Sequence, residues 1–374
     1  MTQLRNVAVV GFAQAPIVAH DAHRMAPEML YPVVRQALAQ CGVQRDAIDY
    51  QTAGSADYID GRPFGFVAAL DVMGTWPPRQ DSHLEMDAAF AAYYAWIRIQ
   101  AGEADTAMVV GYGKVSEGQP ERVFNLELDP YYLAPLGLGP ITTAALQASA
   151  YLARSGVSDA DMAALASRRR AAATRNPDAQ LREAASAATL QATPWAAEPL
   201  RQGYIAPSGE SAVCLLLAAE GKAETMCKQP AWIHGADQRA ELQSLGSRDL
   251  TRSASAKLAA EKALAMAGLS SAREVDLAEL LATNPVEELI VREALGLSTT
   301  DDSAPVINPS GGPIAGHPVM MTGLIRLGEA FRQISGSAGA HAVPNVKRAL
   351  AHAAQGHCLQ QNLVFLLGNQ RRWS

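Results

Sequence analysis

Hydrophobic residues in the first half of the chain follow two alternating patterns. Val7 to Phe12 is a short apolar run rich in β-branched residues, which predicts a buried strand. Ala26 to Gln40 carries apolar residues at helical spacing and is followed by Gly42, which predicts an amphipathic helix with a glycine stop. Further segments of these two kinds follow, a helix at 86–101 and strands at 106–110 and 212–218. This alternation is typical of an α/β protein.

The same order of elements returns in the second half. An amphipathic pattern over 253–266 is closed by Gly268, and a polar spacer leads into an apolar strand at 277–282. The two helix ends match at an offset of 263 − 37 = 226 residues. This offset exceeds half the chain and indicates a duplicated lobe, because solenoid units repeat every 20 to 50 residues or so. We predict an N-terminal half at 1–230, with a mostly helical insertion at about 115–203, and a C-terminal half at 231–374.

Composition restricts the classes of partner. The 374 residues are 49% hydrophobic and 18% charged, which is typical of a globular protein with a packed core. The formal net charge of −6 argues against nucleic acid as a partner. No apolar run approaches the roughly 18–20 residues of a membrane span, and no signal-peptide architecture precedes Val7. We therefore expect a cytoplasmic protein that binds neither membrane nor nucleic acid.

Cysteine usage argues against a disulfide framework and against a structural metal. The four cysteines, Cys41, Cys214, Cys227 and Cys358, form no CxxC pair and have no zinc-ligand spacing with the eight histidines. Reduced thiols are expected. For each of them, a buried core position is a simpler interpretation than a nucleophile.

Six short motifs follow one another along the two halves. They are Gly102–Asp105, Gly111–Lys114, Ser208–Ala212, Asn308–Gly312, Gly316–Pro318 and Cys358–Leu363. With the duplication and the insertion, their order resembles the thiolase superfamily, specifically its sterol-carrier-protein-x or lipid-transfer type. The match covers nearly the whole chain, and its most specific parts are Asn308–Gly312 and Gln360–Leu363.

The resemblance implies a fold and a ligand. It implies a thiolase fold, which is a duplicated five-layered α/β/α/β/α core with a helical insertion in the first half. It also implies dimers built through the first half and an acyl-CoA that reaches a pocket between the halves. Coenzyme A would enter as a thioester substrate, with no bound cofactor and no metal.

The chain departs from the family where thiolases carry their nucleophile. Thiolase chemistry uses a cysteine thiolate at a helix N-terminus, where the helix dipole lowers the pKa of the thiol. The family spacing, counted back from Gly102, places Glu85 there, and no cysteine lies between Cys41 and Cys214. Cys358 stands about four residues before the family's second cysteine position, which Asn362 fills, so we assign Cys358 no catalytic role.

The second half departs as well. The family's His-Asp-Cys-Phe segment corresponds to Leu281–Asn284, which carries no titratable group. The step from Gly312 to His317 is one residue shorter than in thiolases proper and resembles the steroid side-chain aldolases of the superfamily. Those aldolases place a tyrosine at each of the positions that Leu281 and His317 occupy here.

Two residues are candidates for proton transfer. His317 follows a glycine-rich turn and precedes a helical pattern over 319–331, so it is a candidate general acid/base or oxyanion donor. A histidine that bonds only to loop backbone is the alternative. Glu85 is a candidate carboxylate base whose pKa would rise on burial, and a helix-capping carboxylate is the alternative.

The resemblance also implies a set of residues that contact the substrate. The turn at Asn308–Gly312 would position the thioester through backbone N–H groups, and Tyr131 and Tyr132 would cover the acyl tunnel. The alternatives are a turn that links the lobes and aromatic residues that only pack. The set comprises Asn308, Ser310, Gly311, Gly312, Tyr131, Tyr132 and Asn362.

The sequence leaves two main function classes open, and a third is a further alternative. One is an enzyme that makes or breaks a carbon–carbon bond next to a CoA thioester by acid/base chemistry, as a retro-aldol cleavage requires. The other is a catalytically silent subunit paired with an active paralogue or with a zinc-ribbon/OB-fold protein that binds acyl-CoA. An acetyl-CoA acetyltransferase is the third, and it requires a thiol nucleophile.

Overall fold

A computed structural model describes residues 4–371 of the chain. The strands are β1 (Val7–Gln14), β2 (Tyr50–Gly54), β3 (Gln80–Leu84), β4 (Thr106–Gly113), β5 (Trp195–Ala197), β6 (Leu200–Arg201), β7 (Ser208–Gly209), β8 (Ser211–Ala219), β9 (Ala231–Ala240), β10 (Leu277–Leu280), β11 (Val306–Ile307), β12 (His317–Pro318), β13 (Arg348–Gln355) and β14 (Gln361–Gly368). The α-helices are α1 (Ala26–Gln40), α2 (Gly65–Met73), α3 (Ala88–Ala101), α4 (Pro120–Leu126), α5 (Pro140–Ser155), α6 (Asp159–Ala173), α7 (Ala187–Gln191), α8 (Ala223–Met226), α9 (Ala254–Ala267), α10 (Pro285–Ala294) and α11 (Thr322–Ile334). No helix in this part of the chain is long and apolar enough to cross a membrane.

The two halves have the same sheet topology. In the first half the strands lie in the order β1-β8-β4-β2-β3, and in the second half in the order β9-β14-β13-β10-β11. When the five strands of each half are numbered along the chain, both sheets have the order first, fifth, fourth, second, third. In each half the fifth strand pairs antiparallel with its two neighbours, and the second strand pairs parallel with the third and fourth. The sequence repeat is therefore a structural duplication.

The two five-stranded sheets are joined edge to edge. β1 pairs antiparallel with β9 through Ala8 with Trp232 and Val9 with Ala231, which makes one ten-stranded sheet. One hydrophobic core contains α3 and α11 together with strand residues of both halves. Separate cores join α1 and α2 to the first sheet and α9 and α10 to the second. The layers are thus helix, sheet, central helices, sheet, helix, and the five-layered prediction is confirmed.

The segment between β4 and β8 folds mainly onto the second half. Residues of α5 and α6, such as Tyr151 and Leu165, share a hydrophobic core with α9 and α10. Buried Arg169 on α6 adds a bidentate ion pair to Glu288 on α10, with N–O distances of 2.7 and 2.9 Å. This placement brings the start of α5 over the boundary between the two halves.

The last predicted helix begins later than its pattern indicates. The pattern predicts a start at Val319, whereas α11 begins at Thr322. Met320 has φ +66°, outside the helical region, and its carbonyl oxygen accepts a hydrogen bond from Ala88 N at 2.8 Å. These residues therefore turn across the start of α3 instead of extending α11.

Candidate active site

A cavity of about 130 Å³ lies beside the N-terminal ends of α3 and α10. Both halves and the inserted segment contribute residues to its wall. It is lined by Asp87, Phe124, Pro140, Thr143, Leu281, Thr283, Glu287, His317, Val319, Met320, Ala354, Gln355, Gly356, His357, Cys358 and Leu359.

Asp87 ties the two central helices together at the cavity. Its Oδ1 accepts hydrogen bonds from Ala89 N (2.9 Å) and Leu324 N (3.2 Å), and its Oδ2 accepts one from Gly323 N (2.8 Å). The N-termini of α3 and α11 therefore share one buried carboxylate, which complements both helix dipoles. Burial raises the pKa of Asp87 to about 6 although these backbone N–H groups favour its ionised form.

His317 is held as a neutral imidazole with a defined tautomer. Thr322 Oγ1 lies 2.8 Å from His317 Nδ1 and donates its own proton to the carbonyl oxygen of Pro318, also at 2.8 Å. The hydroxyl must therefore accept the proton on Nδ1, which leaves Nε2 unprotonated. Burial, helped by the positive charge of Arg326, lowers the pKa of His317 to about 4. Nε2 is thus available as a proton acceptor at neutral pH.

Glu287 brings a carboxyl group to the same cavity. It stands in the first turn of α10, and its Oε2 accepts hydrogen bonds from Thr283 N (2.7 Å) and Thr283 Oγ1 (2.8 Å). Burial raises the pKa of Glu287 despite these bonds. The cavity therefore contains a base that is neutral and an acid that retains its proton above the usual pH range.

The loop between β13 and β14 forms another part of the wall. His357 Nδ1 lies 3.0 Å from Thr143 Oγ1, and His357 Nε2 lies 2.8 Å from the carbonyl oxygen of Phe124, so the loop is anchored to the inserted segment. Cys358 donates its S–H to the carbonyl oxygen of Thr143 at 3.3 Å. Burial raises the pKa of Cys358 to about 12. The cysteine to which we assign no role from the sequence thus faces the cavity, but as a protonated thiol.

The structure separates the two candidates for proton transfer. His317 lines the cavity, whereas Glu85 is exposed and is absent from the residues of the cavity wall. Asp87, two residues later, is the N-cap of α3 and takes the place at the cavity that the family spacing assigns to Glu85. Glu85 lies instead beside Asp57 and His83.

The turn from Asn308 to Gly312 is buried behind the cavity. Asn308 Oδ1 accepts a hydrogen bond from Leu280 N at 2.6 Å, and Ser310 Oγ donates to Glu279 Oε2 at 2.8 Å. At Gly311 (φ +94°) a Cβ atom would lie 2.6 Å from that of Ala173 on α6. These contacts hold the turn between β10 and the inserted segment, and none of its four predicted ligand contacts lies in the cavity wall.

The other predicted ligand contacts lie elsewhere. Asn362 is fully buried, with its Nδ2 donating to Ser255 Oγ and Leu359 O, both at 2.7 Å, and its Oδ1 lying 2.9 Å from His352 Nε2. Tyr131 and Tyr132 are 83% and 79% exposed, which leaves them outside the cavity in this structure.

Sequence reasoning indicated a capping carboxylate at the start of α3, at Glu85 or Asp87, but missed that Asp87 also caps α11. It also missed Glu287 as the carboxyl group of the second half. A signal for Glu287 existed, because Asn284-Pro285 with a glutamate at the third residue after the asparagine is typical of a capped helix start. No local pattern could place Asp87 against α11, which begins 235 residues later (322 − 87).

Comparisons with known proteins agree with this architecture. Residues 237–369 match the thiolase C-terminal domain-like family. The acetyl-CoA acetyltransferase of Methanocaldococcus jannaschii is 23% identical over 88% of this chain and 90% of its own length. Human sterol carrier protein 2 is 24% identical over 93% of this chain and 70% of its own length.

A solved structure extends the likeness to the whole fold. The structure of an Ltp2-ChsH2(DUF35) aldolase superposes with a TM-score of 0.82 at 17% identity, covering 100% of both chains. At this identity the superposition shows the fold alone. The chain thus has the thiolase fold, and its residues 237–369 match the thiolase C-terminal domain-like family.

Proposed function

We propose that this protein cleaves or forms a carbon–carbon bond next to a CoA thioester by acid/base chemistry, as in an aldolase, without an acyl-cysteine intermediate. The observation that carries the proposal is the presence of His317 and Glu287 in one cavity, the first with a lowered imidazole pKa and the second with a carboxyl pKa that burial raises. The likeness to a structure that is named an aldolase supports the same reaction class.

In the cleavage direction the substrate would be a β-hydroxyacyl-CoA. His317 Nε2 takes the proton of the β-hydroxyl group while the bond between Cα and Cβ breaks, and the hydroxyl-bearing carbon leaves as an aldehyde or ketone. The bonding electrons pass into the thioester enolate. Glu287 donates its proton to complete the shortened acyl-CoA, and proton exchange with water restores both groups. Neither step requires a nucleophilic thiol.

The position of Asp87 also supports a reaction without an acyl-enzyme. Its carboxylate already occupies the shared N-terminal ends of α3 and α11, where a thiolate would otherwise be stabilised. In the part of the chain that the structure describes, Cys358 is the cavity's one cysteine, and its raised pKa disfavours the reactive thiolate.

The test is turnover of β-hydroxyacyl-CoA thioesters by the purified chain. We expect equal amounts of a free carbonyl compound and a shortened acyl-CoA. His317→Ala should lower kcat/KM by about 100-fold or more, because general base catalysis typically contributes 10²–10⁴. His23→Ala changes an exposed histidine outside the cavity and is the matched control. Unchanged turnover by His317→Ala would remove His317 from the reaction.

A second candidate function is a subunit that acts only within a complex. The similar aldolase, Ltp2-ChsH2(DUF35), is named for two components, and this chain covers one chain of that structure completely. Exposed apolar side chains in the inserted segment offer a surface for such a partner, for example Leu126, Tyr131, Tyr132 and Leu136. Following the sequence-based expectation, the partner would be a zinc-ribbon/OB-fold protein that binds acyl-CoA. Co-purification from the native source, with turnover only in the complex, would favour this function.

A further inference from the structure

A cluster of metal-ligand side chains lies outside the cavity, at the carboxyl ends of two parallel strands. β2 ends at Gly54 and is followed by Asp57, while β3 contains His83 and is followed directly by Glu85. Because β2 and β3 run parallel in register, from Tyr50 with Gln80 to Gly54 with Leu84, their carboxyl ends meet at one sheet edge. This edge is where open α/β sheets usually bind ligands.

The three side chains converge on one point. One ring nitrogen of His83 and one carboxylate oxygen each of Asp57 and Glu85 lie within 4.8 Å of one another. Ligand atoms around a tetrahedral Zn²⁺ are roughly 3.3–3.6 Å apart at the usual bond lengths. Glu85 is exposed, so a small rotation of its side chain closes this difference.

Asp57 gives independent evidence that a cation belongs here. The residue is 8% exposed, and its Oδ1 is buried without any hydrogen-bond partner among the described residues. A buried carboxylate without compensation is costly, and a bound cation would remove that cost. The surroundings are acidic as well. Burial and the neighbouring charges, Asp57 among them, raise the pKa of Asp60 to about 7.

The imidazole of His83 is held in place. His83 Nε2 lies 2.8 Å from Ser55 Oγ, and the Phe66 ring stacks on the imidazole with centroids 5.1 Å apart.

We propose that Asp57, His83 and Glu85 form a binding site for a divalent transition-metal ion, with Zn²⁺ as its best representative. One imidazole and two carboxylates suit Zn²⁺ better than Ca²⁺ or Mg²⁺, which take oxygen ligands almost entirely. With three protein ligands, the fourth position would hold water. The site is separate from the cavity and does not depend on the reaction proposed above.

Titration of the EDTA-treated full chain with ZnCl₂, followed by calorimetry, tests the site. We expect one Zn²⁺ per chain, with affinity at least 10-fold lower in His83→Ala and in Glu85→Gln and unchanged in the control His23→Ala. Zn²⁺ should also raise the melting temperature of the wild type and leave that of His83→Ala unchanged.

Three outcomes would overturn the site. They are no binding by the wild type, equal affinity in His83→Ala and the wild type, and tighter binding of Ca²⁺ than of Zn²⁺. His83 and Glu85 are not fully buried, so these variants should fold even if Asp57→Asn does not. Loss of Zn²⁺ binding with intact acyl-CoA turnover would separate this site from the proposed reaction.

Discussion

Three carboxylic acids, Glu85, Asp87 and Glu287, differ in chemistry because of what surrounds them. Asp87 is buried and accepts three backbone N–H bonds, so its carboxylate serves the architecture of α3 and α11. Glu287 is buried, accepts hydrogen bonds from Thr283 and lines the cavity, which suits a proton donor. Glu85 is exposed and lies with His83 and Asp57.

At this scale, Glu287→Gln is the sharpest test of the proposed acid. Glutamine keeps an oxygen for the bonds from Thr283 but has no proton to give, so the fold should persist while kcat/KM falls by about 100-fold. Burial raises the pKa of Glu287. Wild-type turnover should therefore decline at alkaline pH, when the carboxyl group loses the proton that it donates. The pH–rate profile of the variant should lack this alkaline decline. A variant profile that retains it would assign the decline to another group.

Cys358→Ser tests the absence of an acyl-enzyme. Burial raises the pKa of the thiol to about 12, so almost none of it is thiolate at neutral pH. We expect turnover within about threefold of the wild type and no acetyl group on the protein, by mass spectrometry, after incubation with acetyl-CoA. Inactivation by iodoacetamide that acetyl-CoA prevents would instead support an acetyltransferase.

At the scale of elements, the approach of β2 to α3 positions the cavity. Gly54, the last residue of β2, faces the first residue of α3, and a Cβ atom on it would lie 2.4 Å from Ala88 Cα. Backbone atoms cannot swing aside as a side chain can, so an alanine there must displace the strand or the helix. The close approach therefore depends on glycine.

Gly54→Ala should destabilise the protein by about 1–3 kcal/mol, the usual cost of overpacking a core. Urea unfolding at neutral pH measures it. Gly246→Ala is the matched control, because no atom lies within 4 Å of the added Cβ there. Equal stability of the two variants would show that the helix start adjusts without cost.

At the scale of the whole molecule, the ten-stranded sheet ends at β3 in the first half. This edge strand is solvent-exposed at Gln80 and Asp81, and apolar residues of the preceding segment are exposed too, including Phe64 at 73% and Trp76 at 86%. Open edges and apolar patches favour association with another chain. The expected homodimer through the first half would cover both features.

Light scattering after size exclusion should therefore give twice the chain mass of 39.6 kDa. Phe64→Asp should shift the protein toward the monomer, since a charge would be buried in the interface. Leu242→Asp changes an equally exposed apolar residue of the second half and should leave the dimer intact. A wild-type monomer at micromolar concentration would contradict the expectation.

The order of elements and the duplication follow from the sequence itself, and the five layers follow from its resemblance to the thiolase superfamily. Hydrophobic periodicity reports which face of each element is buried, and a repeat at an offset of 226 residues reports that the same unit is built twice. Local patterns also placed His317 after a turn and before a helix.

Only the tertiary structure decided which side chains meet. Asp87 caps α11 across 235 residues, and Glu287 reaches the cavity that contains His317, because the two halves close around α3 and α11. The spacing indicated Glu85 at this place, yet a shift of two residues along the start of α3 put it outside the cavity. Such contacts depend on how separate elements pack in three dimensions, and a pattern along the chain reports only the buried face of each element.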